Sequence, residues 1–385
     1  MSNPKLALIP SGYKSGKVYS ILPNDATGDF DFERQSIGTR VRKDGLIEEV
    51  TNDVPRLDWY NSNCPSLLLE PQRTNNLKYS EDFTNVVWSL LSGGTGTNPV
   101  VTANYSIAPN GTLTADRIIF NQGSGTSSSD FSIIRQIVTS VGQGISSVYM
   151  KSNTDDNYII GIDEVGTGIK DVTVTNQWQR FEYSETTNDR LQLSLRGSSN
   201  SNYADISVWG AMLEQGSYPT SYIKTEASTV TRLKDECLNG GDSDLFDITE
   251  GSWFLDLVPY EISSSKEITL SDGTNSNRFL LQFQSNNTQV RLVVVSGGSI
   301  GVSLYEPITI NTRNKILVTF KENEFKIYIN GTLEGTDTSG NIPTGLDTFN
   351  FSNVSGSNNF EGKLYDTRVY DRVLTETEAI ELTTL

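Results

Sequence analysis

The sequence predicts an all-β protein in which an extended N-terminal segment precedes two tandem β-sandwich (jelly-roll) domains. Apolar residues make up 36% of the chain and charged residues 20%, while Gly, Ser, Thr and Asn are abundant. This composition is typical of many short strands joined by polar turns. Apolar and polar residues also alternate with a period of two in one segment after another. Sixteen Tyr, fifteen Phe and five Trp can fill hydrophobic cores, which excludes a disordered chain.

The length of 385 residues exceeds what one core usually holds, so several domains are expected. A domain ends near the segment that contains Ile206, Val208, Ala211 and Leu213. These apolar residues recur at every second position, with one extra step after Val208, and residues 205, 207 and 214 are polar, as in a strand with one buried face. A Gly, a Pro and a Ser/Thr-rich run follow, as in a segment that leaves a domain. The predicted divisions are a segment at 1–73, a first β domain at 74–226 and a second at 233–385.

The N-terminal segment has little core of its own. Its alternation is short and broken, and Pro55, Pro65 and Pro71 divide its later part into extended pieces. Asp44-Gly45 predicts a hairpin turn of type I′. We therefore expect the segment to bury its apolar side chains against a partner chain or against the following domain.

The first β domain contains about eight strands at short intervals, which is typical of a sandwich and most of all of a jelly roll. Glycine-rich and serine-rich clusters at 121–125 and 197–200 predict turns between them. The predicted strands lie at 115–120, 131–139, 146–151, 158–163, 171–175, 179–183, 191–196 and 205–213.

The second β domain has the clearest alternation. Strands are predicted around residues 253–257, 279–283, 289–295, 316–320, 325–329 and 362–370. Asn330-Gly331 is the strongest hairpin signal, because a type I′ turn needs positive φ at both positions. Near the C-terminus, Thr375 and Glu378 form the sequence of a capping box and predict one short helix.

Charge and residue types exclude several function classes. The net charge of −17 argues against nucleic acid and anionic membranes as partners, since both attract clustered Lys and Arg. The chain has no His, which removes Ser-His-Asp catalysis and His-ligated zinc. Cys64 and Cys237 are too few for a disulfide framework, and we expect two buried free thiols. No apolar run is long enough for a signal peptide or for membrane insertion.

Several phrases of the sequence resemble those of bacteriophage head-fibre and tail-fibre proteins. In the first 73 residues they are PKLALIPSGYKSGKVYSILP, FERQSIGTRVRKDGLIE and CPSLLLEPQRTN. The resemblance implies a virion protein, made in the host cytoplasm, that attaches to other virion structural proteins through residues 1–73.

Both β domains carry resemblances of their own. The order YSEDF, TADRI, VYMKS, WQRFEY and VWGAMLEQG resembles the carbohydrate-binding modules of phage fibres. The meander that ends in GKLYDTRVYDRVLT resembles concanavalin A-like and laminin-G-like sandwiches. The resemblance to carbohydrate-binding modules implies host-surface glycan as a ligand, whereas the concanavalin A-like fold hosts lectins, enzymes and adhesion modules alike. We expect a protein without enzymatic activity. We also expect a homo-oligomer, formed through β surfaces or through the N-terminal segment. The alternatives are a polysaccharide-degrading tailspike, and a decorative capsid protein or adhesin without a specific ligand.

Three aromatic residues are candidates for stacking against sugars: Trp88, Tyr105 and Tyr203. Trp88 lies near a predicted loop, and the two tyrosines lie among Asn and Ser. Trp209 lies in a predicted strand and Trp178 lies directly before one, and in such positions a large aromatic side chain usually fills the core.

No cofactor is expected, and calcium is the one candidate metal. Calcium takes several oxygen ligands, which loops rich in Asp and Asn supply. The candidate ligands are Asp272, Asn275 and Asn277, together with Asp337 from another loop. A glycosidase would need two facing carboxylates, and the sequence lacks the E-x-D-x-x-E strand of concanavalin-like hydrolases. No catalytic residue is therefore predicted.

Overall fold

The computed structural model describes residues 3–163, 169–196 and 201–385, and it confirms the all-β prediction. The chain divides into two compact units. The unit that we call terminal comprises Met1–Ile37, Val50–Pro71 and Leu233–Leu385, and the unit that we call central comprises Gly38–Glu49 and Gln72–Arg232. Most of the N-terminal segment therefore folds with the C-terminal residues and not with the domain that follows it in sequence.

Nine short strands precede residue 76. The hairpin of the fifth and sixth strands turns at residues 42–45, where Gly45 N–H donates to the Arg42 carbonyl over 2.9 Å. Only Gly45 of the predicted Asp44-Gly45 pair has positive φ, so the turn is not of type I′. The strands are β1 Leu6–Leu8, β2 Tyr13–Lys14, β3 Lys17–Val18, β4 Phe30–Glu33, β5 Gly38–Val41, β6 Ile47–Val50, β7 Leu57–Asp58, β8 Ser66–Leu69 and β9 Arg73–Asn75.

The central unit is a sandwich of two five-stranded antiparallel sheets. One has the order β10-β13-β18-β15-β16 and the other the order β11-β12-β19-β14-β17, while β20 pairs with β9. All eight predicted strands are present, and the predicted turn at 197–200 lies outside the described residues. The strands are β10 Ser89–Gly93, β11 Thr97–Ser106, β12 Ala115–Asn121, β13 Phe131–Ile137, β14 Gly144–Ser152, β15 Tyr158–Asp163, β16 Ile169–Val174, β17 Gln179–Glu185, β18 Arg190–Arg196, β19 Tyr203–Gln215 and β20 Val230–Arg232.

The extra step in the alternation of β19 is a β-bulge. Gly210 has φ +68°, and the pairing of β19 with β14 shifts register there. As a result, Val208 and Ala211 both point into the core between the sheets, whereas Trp209 and Met212 lie on the other face in a second hydrophobic cluster. A side chain at Gly210 would approach the Tyr149 ring to 3.2 Å in a backbone conformation that favours glycine.

The terminal unit is a second sandwich. An eight-stranded sheet has the order β29-β28-β27-β22-β31-β8-β7, with β1 also paired to β31, and a five-stranded sheet has the order β26-β25-β24-β23-β30. The elements are β21 Glu236–Leu238, α1 Ser243–Phe246, β22 Glu250–Pro259, β23 Lys266–Ser271, β24 Arg278–Phe283, β25 Gln289–Ser296, β26 Ser299–Pro307, β27 Asn314–Lys321, β28 Glu324–Ile329, β29 Thr332–Asp337, β30 Thr348–Asn350, β31 Gly362–Tyr370 and α2 Glu376–Thr383.

The N-terminal strands complete the eight-stranded sheet. β31 pairs with β22 on one side, and its other edge is paired with β8 and β1. An open edge would leave a row of backbone groups without partners, so this pairing explains why the N-terminal segment folds here. Leu6, Phe30 and Leu67 are buried in the same core as Trp253 and Val318.

A fully enclosed ionic network fixes the same segment, and we call it the buried network. Arg34 donates to Asp235 over 3.1 Å, and Arg56 donates to Glu70 over 2.6 Å and also to Asp235. The side chains of both arginines and of Asp235 are completely buried. Buried charges are stable only when paired in this way.

Several local predictions are confirmed in the terminal unit. Asn330 and Gly331 both have positive φ, as a type I′ turn requires. Thr375 and Glu378 form the capping box of α2. Both cysteines are free, but only Cys237 is buried, whereas Cys64 is exposed in a polar turn. Among the described residues, the helices are all too short or too polar to span a bilayer.

Candidate functional site

The outer face of one sheet in the central unit carries the candidate site, which we call the outer-sheet site. In β12 and β19, the apolar residues Ile118 and Ile206 point into the core between the sheets. Their strand neighbours Arg117 and Asp205 therefore lie on the opposite face. Arg117 pairs across the strands with Ser207, which lies on this face too.

A hydrogen-bonded network joins three strands on this face, β11, β12 and β19, to the residue that follows β14. The Arg117 guanidinium donates two hydrogen bonds to the Asp205 carboxylate, one of them from Nε over 2.8 Å. Asn153 Nδ2 donates to Asp205 over 2.8 Å, and Ser207 Oγ donates to Asn153 Oδ1 over 2.7 Å. Ser106 Oγ then donates to Ser207 Oγ over 2.8 Å. The network holds each polar group in one orientation.

Tyr105 and Tyr203 flank this network and are exposed. Their exposed fractions are 45% and 42%, which is unusual for large aromatic side chains. The Arg117 guanidinium lies 4.9 Å from the centre of the Tyr105 ring, within cation–π range. Burial and the charge of Asp205 raise the pKa of Tyr203, and the nearby Arg117 offsets only part of this increase.

The electrostatics of the outer-sheet site keep Asp205 ionised. Burial alone would raise the pKa of Asp205, but hydrogen bonds from Arg117 and Asn153 bring it below the usual value. Asp205 is therefore a fixed acceptor at neutral pH, and Arg117 is a fixed donor.

The arrangement suits recognition of a sugar. Aromatic faces stack against the apolar side of a sugar ring, while carboxylate, amide and guanidinium groups hydrogen-bond its hydroxyls. Two exposed tyrosines beside Arg117, Asp205 and Asn153 supply both kinds of contact on one sheet face.

The structure places the three predicted aromatic residues differently. Tyr105 and Tyr203 come together beside Arg117, although they are 98 positions apart in sequence. Trp88 is instead part of the core, with 3% of its surface exposed and its ring centre 4.7 Å from that of Phe83. Its indole N–H donates to the Tyr79 carbonyl over 3.2 Å. Because the side chain is buried, the ring offers no face to a ligand.

The predicted calcium ligands are engaged with their own loops. Asp272 accepts hydrogen bonds from the backbone and hydroxyl of Thr274 and from Asn277 Nδ2. Asn275 accepts from Arg278.

Asp337 accepts from Ser339 at the end of β29, a strand of the other sheet of this unit. No described contact links Asp337 with Asp272. Among the described residues, no three Asp, Glu or Cys side chains are grouped to hold a metal ion.

Two carboxylates face each other on the eight-stranded sheet. Asp256 and Asp366 are cross-strand partners, and each is bound by an arginine. Arg313 grips Asp256 at 2.6 and 2.7 Å, and Arg368 binds Asp366 at 2.6 Å. Burial, and to a lesser extent the charge of Asp256, raises the pKa of Asp366.

Sequence reasoning missed Arg117, Asp205 and Asn153. The alternation of β12 and β19 places Arg117 and Asp205 on the outer face of their strands, but it does not say which strands are neighbours. Asn153 follows the end of β14 and carries no signal that separates it from other turn asparagines.

Comparison with known proteins supports the fold. Residues 257–379 match the family model of the concanavalin A-like lectin/glucanases superfamily. The terminal unit is thus similar to concanavalin A-like sandwiches over most of its C-terminal part. No curated protein sequence is significantly similar to the chain.

Among solved structures, the chain is similar to the CBM40 of the Ruminococcus gnavus IT-sialidase bound to alpha2,3 sialyllactose, with 19% identity, TM-score 0.32, and coverage of 36% of this chain and 84% of that one. Domain 4 of AbnA, a GH43 extracellular arabinanase from Geobacillus stearothermophilus in complex with arabinotriose, matches with 16% identity, TM-score 0.33, and coverage of 44% and 84%. Galectin LEC-6 from Caenorhabditis elegans matches with 15% identity, TM-score 0.25, and coverage of 32% and 84%.

Proposed function

We propose that the protein is a non-enzymatic structural component of a bacteriophage virion that binds host-surface glycan through its outer-sheet site. The observation that carries the glycan-binding part of the proposal is the pair of exposed tyrosines beside the Arg117–Asp205–Asn153 network. The virion part is supported by the resemblance of the sequence to phage fibre proteins. A single shallow site of this kind binds weakly, and several copies in one particle would raise the avidity by orders of magnitude.

The first test combines binding and turnover. The full-length protein is applied to a glycan array, and the glycans that bind are then incubated with it while reducing sugar is measured. We expect binding of a defined group of glycans without release of reducing sugar. Absence of binding across a broad array would contradict the glycan proposal, and steady release would contradict the non-enzymatic one.

Attachment to the virion is proposed to involve residues 1–73, as the resemblance to fibre proteins implies. Three large side chains of this region are exposed in the terminal unit, and a virion partner would cover them: Ile21, Ile37 and Tyr60. In phage that carry Ile21→Glu with Ile37→Glu, we expect the folded protein to be absent from purified virions. Val86→Glu, at a position 94% exposed in the central unit, is the matched control and should be incorporated normally.

The second candidate function is polysaccharide cleavage, which the facing Asp256 and Asp366 favour. Directly opposed residues on neighbouring strands lie about 5 Å apart at Cβ, and retaining glycosidases hold their two carboxyl groups about 5–5.5 Å apart, so side chains in these positions can reach the spacing of a retaining pair. The arginine on each carboxylate argues for an ordinary ion pair. If the turnover assay shows cleavage, Asp366→Asn should abolish it, whereas Asp371→Asn, on the exposed surface, should not.

A further inference from the structure

A pocket of about 390 Å³ opens in the central unit and shares no residue with the outer-sheet site. Its walls come from the β5–β6 hairpin, from the loop that joins β11 to β12, and from the segment that follows β19. Small-molecule sites usually have volumes of about 300–1,000 Å³. The pocket therefore has room for a ligand of one or two sugar rings.

Two packed aromatic side chains form a rigid floor. The ring centres of Trp209 and Tyr222 lie 4.4 Å apart, and both residues are buried. Trp209 Nε1 donates to Thr114 Oγ1 over 3.1 Å, and the Tyr222 hydroxyl donates to Glu81 over 2.9 Å. Because each polar atom of the floor is already engaged, the floor keeps its shape without a ligand.

The rim carries hydroxyl and amide groups. Asn110, Thr112 and Thr114 line one wall, and Thr112 and Thr114 lie 2.9 Å apart at their hydroxyls. Such groups both donate and accept hydrogen bonds, and they suit a ligand with several hydroxyls.

Among the charged residues that line the pocket, one carboxylate has no cationic partner in the described part of the chain. Glu48 is bound by Arg40 at 2.7 Å, and Glu81 lies 3.5 Å from Lys224. Arg42, the other cation of the lining, binds Asp44 at 2.8 Å. Glu49 also lines the pocket, and no described residue forms a hydrogen bond or ion pair with it.

We propose that this pocket is a second binding site, for a protonated amino sugar, with Glu49 as the partner of the ammonium group. The hydroxyls of such a ligand would form hydrogen bonds with the hydroxyl and amide groups of the wall, and its positive charge would pair with the Glu49 carboxylate. A sugar acid would place a second negative charge beside Glu49 and would be disfavoured. This site is independent of the proposed glycan site on the sheet face.

The test uses the full chain and three probes of similar size: glucosamine, glucose and glucuronate at pH 6. Amide NMR shifts report binding at residues 49, 112 and 222. We expect glucosamine to bind about fivefold more tightly than glucose, the effect of one unit charge at ~4 Å in a water-like dielectric. Glucuronate should bind more weakly than glucose.

Two variants and two controls test whether the preference for glucosamine arises in this pocket. Glu49→Gln should remove the preference for glucosamine, whereas Glu322→Gln, an exposed glutamate of the terminal unit, should leave it unchanged. Thr112→Trp should block the pocket to all three sugars. Tyr105→Ala with Tyr203→Ala should not affect it, which separates this site from the outer-sheet site.

The proposal is overturned if glucosamine and glucose bind equally, or if none of the sugars shifts the pocket amides at 50 mM. It is also overturned if Glu49→Gln keeps the wild-type selectivity.

Discussion

The two units contain arginine–aspartate clusters of the same chemistry with opposite access to solvent. In the terminal unit, the buried network closes Arg34 and Arg56 around Asp235 with no exposed side-chain surface. In the central unit, Arg117 binds Asp205 on a sheet face, and 28% of the arginine side chain remains exposed. The enclosed cluster holds N-terminal residues to the terminal unit, whereas the open one can also contact a ligand. The two clusters contain the same residue types, so it is solvent exposure that separates a cluster that stabilises the fold from one that can bind a ligand.

The largest effect is expected from opening the buried network. Asp235→Ala leaves two arginines buried without their shared partner, and removing one member of a buried ion pair costs about 3–5 kcal/mol. The free energy of unfolding of the terminal unit should fall by that amount, as measured by hydrogen exchange of its peptides. Asp205→Ala, in the partly exposed pair, should cost about 1 kcal/mol in the central unit. Equal losses would contradict the comparison.

The next effect is on glycan affinity. Tyr105→Ala combined with Tyr203→Ala removes two stacking surfaces at about 1 kcal/mol each, so the affinity should fall about 30-fold. Thermal melting should barely change, because both side chains are exposed. Tyr305→Ala is the matched control, since Tyr305 is 48% exposed in the terminal unit and also lies under an arginine, Arg291, at 4.9 Å. A comparable loss of glycan affinity in Tyr305→Ala would show that the effect does not depend on the position of the tyrosines in the outer-sheet site.

A smaller effect is expected from Arg117→Lys. Lysine keeps the charge but cannot grip Asp205 with two parallel donors, so Asp205 and Asn153 lose their fixed orientation. Glycan affinity should fall about fivefold by calorimetry. Arg291→Lys, the equivalent change beside Tyr305, should leave glycan affinity unchanged. If Arg117→Lys binds as the wild type does, the network is not part of the site.

The smallest effect is the pH response, which differs between the units. In the central unit, burial raises the pKa of Asp116 to about 6, although backbone N–H groups of Asn104 and Phe83 oppose this. Its folded-state pKa is above the unfolded value, so its stabilising contribution is complete below pH ~3.9 and is lost as the pH rises through 6. In the terminal unit, hydrogen bonds from Arg372 and Thr375 lower the pKa of Glu378 to about 2. Its stabilising contribution is therefore complete above the unfolded value of about 4.3 and is lost as the pH falls from there through 2.

Between pH 4 and pH 7, the central unit should therefore lose stability relative to an Asp116→Asn variant, whose response lacks this titration. A carboxyl NMR titration of Asp116 should show a midpoint near 6. A midpoint below 4 would contradict this assignment.

The sequence predicts where strands, turns and helices lie better than it predicts which strands pair with each other. Alternation predicts the eight strands from β12 to β19 and six strands of the second sandwich, and the extra step after Val208 proves to be the bulge at Gly210. It misses six shorter or more polar strands of the sandwiches, which are β10, β11, β23, β26, β29 and β30. Local chemistry also predicts the Asn330-Gly331 turn and the α2 cap. Strand order depends on contacts between distant residues, so nothing local indicates that β1 and β8 pair with β31. For the same reason the sequence suggests Tyr105 and Tyr203 separately but not the Arg117 that lies beside both, and it does not reveal that Trp88 fills a core.

The most direct test of the account is to map a bound oligosaccharide on the full chain by amide chemical shifts, using a glycan selected by the array. The account predicts that the largest shifts cluster at residues 105, 117, 153, 203 and 205, while those at 34, 56 and 235 stay unchanged. Shifts confined to the terminal unit, or conversion of the oligosaccharide to shorter products during the titration, would contradict it.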